Sequence, residues 1–239
     1  LRLFVAACGG DSARIAVIPT SSNLADTGQR YEELFRGLGV ADATALPYAE
    51  RSDASRADWM KILAAASGIF LTGGSQLKLS TVLGGTPVAT RIRRLHAAGV
   101  HVAGTSAGAA FLCEHMIAHG APGATPRAGM VALAPGLGLT NRLIIDQHFR
   151  ERDRLGRLLA ALSYNPFPVG FGLDEDTAAF VDAHDEVEVV GSGAITVVDE
   201  AGVSASGMAT AEPGPPGELN GVPPHGLPGG RRDSPSPPP

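Results

Sequence analysis

The apolar residues of this chain fall into short blocks, separated by stretches in which they recur every three or four positions. By that periodicity residues 14–19, 43–47 and 68–72 read as strands, and 29–38, 55–66, 77–83 and 87–98 as helices. A further apolar block at 101–103 leads into an alanine-rich helical run over 107–116. Strands alternating with helices of this length are the pattern of a parallel sheet covered on both faces, an α/β fold. Residues 120–141, rich in Gly, Ala and Pro, read as a long loop of the kind that forms a lid or pocket wall. Residues 143–148 and 169–173 read as two more strands, and 178–182, 186–190 and 194–199 as shorter, partly alternating strands that suit hairpins at one edge.

Composition changes this picture at the C-terminal end, where 10 of the 18 prolines lie from Pro213 onward. Residues 211–239 therefore read as an extended or disordered tail in which a packed strand is not expected, and 1–210 as one α/β domain. A net charge of −5 and a pI near 5.8 argue against nucleic acid as the main partner. No apolar run approaches the roughly 18 residues of a membrane span, and no signal peptide precedes the first strand. The expected location is cytoplasmic; because the chain opens at Leu1, secretion stays open.

Candidate chemistry centres on Gly104-Thr105-Ser106-Ala107-Gly108, which places a serine where a strand must turn abruptly into a helix. Small flanking residues let backbone approach closely, so the hydroxyl is exposed with helix-start amides, Ala107 first, behind it to hold an oxyanion. The turn at Gly73-Gly74-Ser75-Gln76 also follows a strand, and its paired glycines suit Gly74 as a second oxyanion donor.

A serine nucleophile needs a base and an orienting acid. The strand 143–148 ends in Asp146, Gln147 and His148, and 169–173 runs into Asp174, Glu175 and Asp176. In an open parallel sheet, groups just past the carboxyl ends of the strands gather in one crevice, which would bring Ser106, His148 and an acid together. His148 would take and return the proton, and Glu175 would fix the imidazole, with Asp174 and Asp176 as rivals. Arg150, Arg154 and Arg157 recur at helical spacing and would share one helix face beside His148, with Arg152 pointing elsewhere. Guanidinium forks there would hold a substrate carboxylate, and Asp146, Asp174 and Asp176 would suit a guanidinium-bearing one.

Neither metal nor organic cofactor is expected. His115 and His119 sit four apart on the expected elbow helix, but Met116 stands where a zinc-protease helix needs glutamate. Cys8 and Cys113 are too few for a disulfide framework or a four-cysteine zinc site, and neither supports a cysteine nucleophile.

Four ordered segments, IFLTGGSQ (69–76), GTSAGAA (104–110), IIDQHFRERDRLGRLL (144–159) and GFGLDEDTA (170–178), resemble the cyanophycinase group of serine peptidases. The separations agree, with His148 42 residues after Ser106 and Glu175 27 further on. This Ser, His, Glu order differs from the Ser, Asp/Glu, His order of α/β-hydrolases. The resemblance covers residues 1–199 and continues faintly into 221–233.

What it implies is a three-layer sandwich with a mostly parallel sheet and a strand-to-helix nucleophile elbow, class I glutamine amidotransferase-like, opening upstream of Leu1 with a further strand. It also implies release of β-Asp-Arg dipeptides from cyanophycin, a polyaspartate carrying arginines, by an exopeptidase, with Ser106, His148 and Glu175 as triad. Gln76, Asp146, Gln147, Arg152, Arg154 and Arg157 match positions that line that family's substrate pocket. A homodimer follows from the same likeness. Two other readings stay open: an isoaspartyl or α-aspartyl dipeptidase, and an inactive ligand-binding pseudoenzyme.

Overall fold

The structure, a computed structural model, describes residues 1–199 together with 205–206, 219–220, 224–228 and 232–233. It divides into two compact units, the first Leu1–His115 with Ala134–Thr140, the second Met116–Leu133 with Asn141–Pro239.

The first unit runs α1 (Arg2–Ala7), β1 (Arg14–Ile18), α2 (Thr27–Gly37), β2 (Asp42–Ala45), α3 (Ala57–Ala65), β3 (Gly68–Leu71), α4 (Gln76–Leu83), α5 (Pro87–Ala97), β4 (His101–Gly104) and α6 (Ala107–Phe111). Its four strands form one parallel sheet in the order β2-β1-β3-β4. Residues 15–18 of β1 and all of β3 are buried, as parallel strands must be when helices cover both faces. Phe4, Phe35 and Phe70 pack together, Phe35 meeting Phe70 edge-on at 5.3 Å between centroids. Each such buried ring contributes about 1.5–3 kcal/mol. Cys8 sits in this core, where burial pushes its thiol up to about 12, so it stays protonated and unreactive.

The elbow helix is half the expected length. Leu112 to Glu114 turn away instead, because residues 136–139 return to take the carbonyls the helix would have used: Leu137 N–H bonds to Phe111, Leu139 to Leu112 and Gly136 to Glu114. Gly136 is required there, since a Cβ would stand 2.1 Å from the Cys113 carbonyl oxygen.

The second unit begins in β5 (His115–Gly120), which pairs with β6 (Val131–Pro135) in a two-stranded ribbon. His115 and His119 thus lie on a strand, about 13 Å apart at strand rise, and cannot act as helix neighbours. The segment 120–141, expected as loop, contains β6.

There follow β7 (Leu143–Gln147), α7 (Leu155–Tyr164), β8 (Val169–Leu173), β9 (Thr177–Val181), β10 (Val187–Gly191), β11 (Ala194–Val198), β12 (Ala205–Ser206), β13 (Leu219–Asn220), β14 (Pro224–Pro228) and β15 (Arg232–Asp233). The sheet order is β14-β11-β8-β7, with β7 and β8 parallel and the rest antiparallel. A second, antiparallel sheet runs β15-β10-β9, and β12 pairs with β13. The parallel pairing expected from the sequence is found throughout the four-stranded sheet of the first unit and, in the second unit, between β7 and β8 of a mixed sheet. The pairing of β14 with β11 corrects the expectation that prolines exclude a strand there: Pro224 and Pro228 stand at the two ends of an edge strand, where a missing donor is tolerated. Most of the remaining proline-rich tail lies outside the described residues.

Candidate active site

In the first unit the register Leu71↔Gly104 sets the ends of β3 and β4 side by side, and Thr105 N–H continues the ladder to the Leu71 carbonyl at 3.0 Å. Ser106 then turns with φ 51 and ψ −114, outside the regions ordinary residues prefer, before α6 starts at Ala107. That conformation costs on the order of 1–3 kcal/mol and persists only when its surroundings enforce it. They do so through glycines. A Cβ on Gly108 would lie 2.3 Å from the Leu71 carbonyl oxygen, and one on Gly104 2.3 Å from the Gly108 carbonyl carbon, so strand and helix meet backbone to backbone. Gly73 faces the serine: a Cβ there would stand 3.2 Å from Ser106 Cβ. Gln76 opens α4, immediately after the Ser75 cap, whose hydroxyl accepts from Lys78 N–H.

In the second unit β7 is buried throughout and delivers His148 at its end with φ 49. The next residue fixes that turn. Phe149, 3% exposed, lies in the cluster of Ile117, Ile144, Leu158, Leu162 and Val198, and its N–H bonds to the Leu173 carbonyl. Its ring occupies the space of a missing side chain, since a Cβ on Gly172 would meet three ring atoms at 2.4–2.6 Å. Gly172→Ala should therefore lift Phe149, cost about 1–3 kcal/mol by overpacking and swing His148. Urea unfolding measures the first effect, and a parent-like stability would remove Phe149 as the support of this turn.

His148 Nδ1 lies 2.8 Å from Glu175 Oε1. With the carboxylate ionised, Nδ1 is the donor, and the lone pair that can take a proton lies on Nε2. The two rivals are engaged elsewhere. Asp174, 6% exposed, accepts from the Arg150 and Ala194 amides, and Asp176 accepts from the Ser192 hydroxyl at 2.6 Å. Around Glu175 a cavity of about 580 Å³ is lined by Arg150, Glu151, Asp174, Asp176, Ser192 and Gly193, predominantly acidic.

The arginines do not share a helix face. His148 and Asp153 both have positive φ, residues 149–153 form turns, and α7 begins only at Leu155 with Arg154 as its cap. Arg157, 5% exposed, instead grips Asp146 with two nitrogens, Nε donating to Oδ2 at 2.6 Å and Nη2 to Oδ1. Arg154 donates to the same Asp146 Oδ1 at 3.2 Å, to Gln147 Oε1 at 2.7 Å and to the Gln147 carbonyl. Burial draws the Arg154 guanidinium below its usual pKa, and Asp146 partly restores it. Two guanidiniums against one carboxylate leave one net positive charge. Arg152 is exposed.

Sequence reasoning missed Ser21, a fully buried serine whose hydroxyl donates to the Gly73 carbonyl at 2.8 Å in the Gly73-Gly74 turn. It lies two residues past the strand block at 14–19, as Glu175 lies two past the block at 169–173, so the same rule applied there would have found it. It missed the Asp146 clamp because pairing inside the protein and pairing with substrate leave the same sequence trace.

The profile of peptidase family S51 matches residues 1–189, a span that holds Ser106, His148 and Glu175. The cyanophycinase of Trichormus variabilis is 42% identical over 201 residues, 83% of this chain and 67% of that protein. The cyanophycinase of Geminocystis herdmanii is 41% identical over 201 residues, 83% of this chain and 74% of its own length. This chain thus spans about two thirds to three quarters of these relatives. The crystal structure of a peptidase from an acI-B1 actinobacterium has the same fold, with a TM-score of 0.68 at 21% identity over 97% of this chain and 89% of that one. With a family profile running across most of its length and relatives this similar, the chain belongs to peptidase family S51 and is a serine-type peptidase.

Proposed function

We propose that this peptidase degrades cyanophycin from a chain end, releasing β-Asp-Arg dipeptides, with Ser106 as nucleophile, His148 as base and Glu175 as the acid that orients it. What carries the proposal is the 42% identity to a curated cyanophycinase, over a stretch covering 83% of the chain. The local geometry supports the roles. A strained serine at a strand-to-helix turn presents its hydroxyl, and a histidine held by a carboxylate at 2.8 Å has its other nitrogen ready for a proton.

In this reading Ser106 Oγ attacks the carbonyl of the backbone amide that joins the terminal residue to its neighbour, while His148 Nε2 takes the hydroxyl proton. The tetrahedral oxyanion accepts hydrogen bonds from the Gly74 and Ala107 amides. Collapse expels the amine, which receives its proton from His148, and leaves an acyl-enzyme on Ser106. Water, deprotonated by His148, then hydrolyses the ester.

Substrate carboxylates would be drawn by the net positive charge of the Asp146, Arg154 and Arg157 cluster, with Gln76, Gln147 and Arg152 as further contacts. The acidic cavity beside Glu175 would suit the substrate's guanidinium.

Insoluble cyanophycin is the test substrate. The purified protein should clear its turbidity and yield β-Asp-Arg by mass spectrometry. Cleavage of isoaspartyl dipeptides with intact polymer would replace this reading with a dipeptidase; cleavage of neither by the folded protein would leave a ligand-binding pseudoenzyme.

A further inference from the structure

We infer that Ser21 is a positioning residue that aims the Gly74 amide at the developing oxyanion, an inference resting on Ser106 as the nucleophile. Ser21 follows β1 in a turn closed by Ser22 N–H bonding to the Pro19 carbonyl at 2.9 Å. It is fully buried, and its hydroxyl lies 2.8 Å from both the Thr72 and the Gly73 carbonyl oxygens. One O–H is thus shared between two carbonyls, and the Thr72 hydroxyl at 3.2 Å completes the group. The clasp is reciprocal, since Ser75 N–H donates to the Ser21 carbonyl at 2.9 Å. Lys78 Nζ holds the neighbouring Ser22 carbonyl at 3.0 Å.

The consequence follows from peptide geometry. The Gly73 carbonyl and the Gly74 N–H belong to one planar trans unit, in which they point in opposite directions. Anchoring the carbonyl to Ser21 therefore turns the Gly74 N–H away from Ser21, in a turn whose other glycine lies against Ser106. Gly74 holds φ 144, and a Cβ there would lie 2.2 Å from the Ser21 carbonyl oxygen, so the two turns approach as closely as backbones permit. Among the described residues the Gly74 N–H has no acceptor, although its neighbour Ser75 has one. An amide held in place with its donor unspent is what an oxyanion site requires, because no reorganisation is then needed during reaction.

The test compares the parent with Ser21→Ala at a temperature where both are folded by circular dichroism. It measures the second-order rate at which a fluorophosphonate derivatises Ser106, with kcat and KM for dipeptide release alongside. Phosphonylation builds charge on an oxygen at the same place, so its rate and kcat should both fall about 10- to 100-fold, with KM changed less than about twofold. Ser21→Cys, of similar shape with a weaker donor, should fall between. A role confined to stability would lower the melting temperature and leave the phosphonylation rate of the folded protein unchanged, which overturns the proposal. Should Ser21→Ala fail to fold, Ser21→Cys carries the test, and a parent-like rate in it is equally fatal. A parent that reacts with the phosphonate but spares cyanophycin loses its substrate assignment and leaves this test intact. A parent that does not react overturns the nucleophile and this proposal with it.

Discussion

Ser106→Ala should lower kcat for dipeptide release by about 10⁴- to 10⁶-fold with little change in KM, since it removes the atom that forms the acyl bond. His148→Ala should cost nearly as much, because an unassisted serine hydroxyl is a weak nucleophile. Combining the two should add almost nothing, as the groups act as one unit and the residual rate belongs to binding and the oxyanion amides. Steady-state kinetics on the two single variants and the double variant measure this directly. Losses that multiply would mean that serine and histidine serve separate steps. Stability should move little in Ser106→Ala, because alanine keeps the Cβ and with it the same positive-φ backbone strain.

The second large effect is structural. Asp146 is 1% exposed and is the shared acceptor for Arg154 and Arg157, of which Arg157 is itself 5% exposed. Asp146→Ala would leave two guanidiniums facing each other without their carboxylate, a situation that costs about 3–5 kcal/mol. In a chain of this size that corresponds to a fall of roughly 6–20 °C in melting temperature. Arg152→Ala, at an exposed turn position, should change stability by no more than about 0.5 kcal/mol. Urea or thermal unfolding of the two variants reads the contrast. Equal midpoints would show that the buried cluster contributes no more than a surface charge.

The elements that position the candidate groups were legible wherever local pattern and tertiary demand agree. β3, its Gly73-Gly74 turn, β4, β7 and β8 stand where the apolar blocks place them. The strand-end rule picked out His148 and Glu175, and these lie 2.8 Å apart. Legibility failed where a distant segment overrode a local preference. Ala107 to Met116 has the composition of a helix, yet the carbonyls of Phe111 to Glu114 are claimed by residues 136–139, and only the close approach at Gly136 makes that possible. The arginines 150, 154 and 157 have helical spacing, but positive φ at His148 and Asp153 keeps the first of them off the helix, and Asp146 draws the other two inward. β14 was hidden because its prolines read as breakers, when an edge strand tolerates them at its ends.

Peptide mapping after treatment with a fluorophosphonate tests the central claim, an activated Ser106, most directly. The parent should carry one adduct, on the peptide containing Gly104-Thr105-Ser106, and His148→Ala should label at least about 100-fold more slowly, as loss of a general base requires. An adduct on another residue, or labelling of Ser106 that is indifferent to the loss of His148, would contradict it.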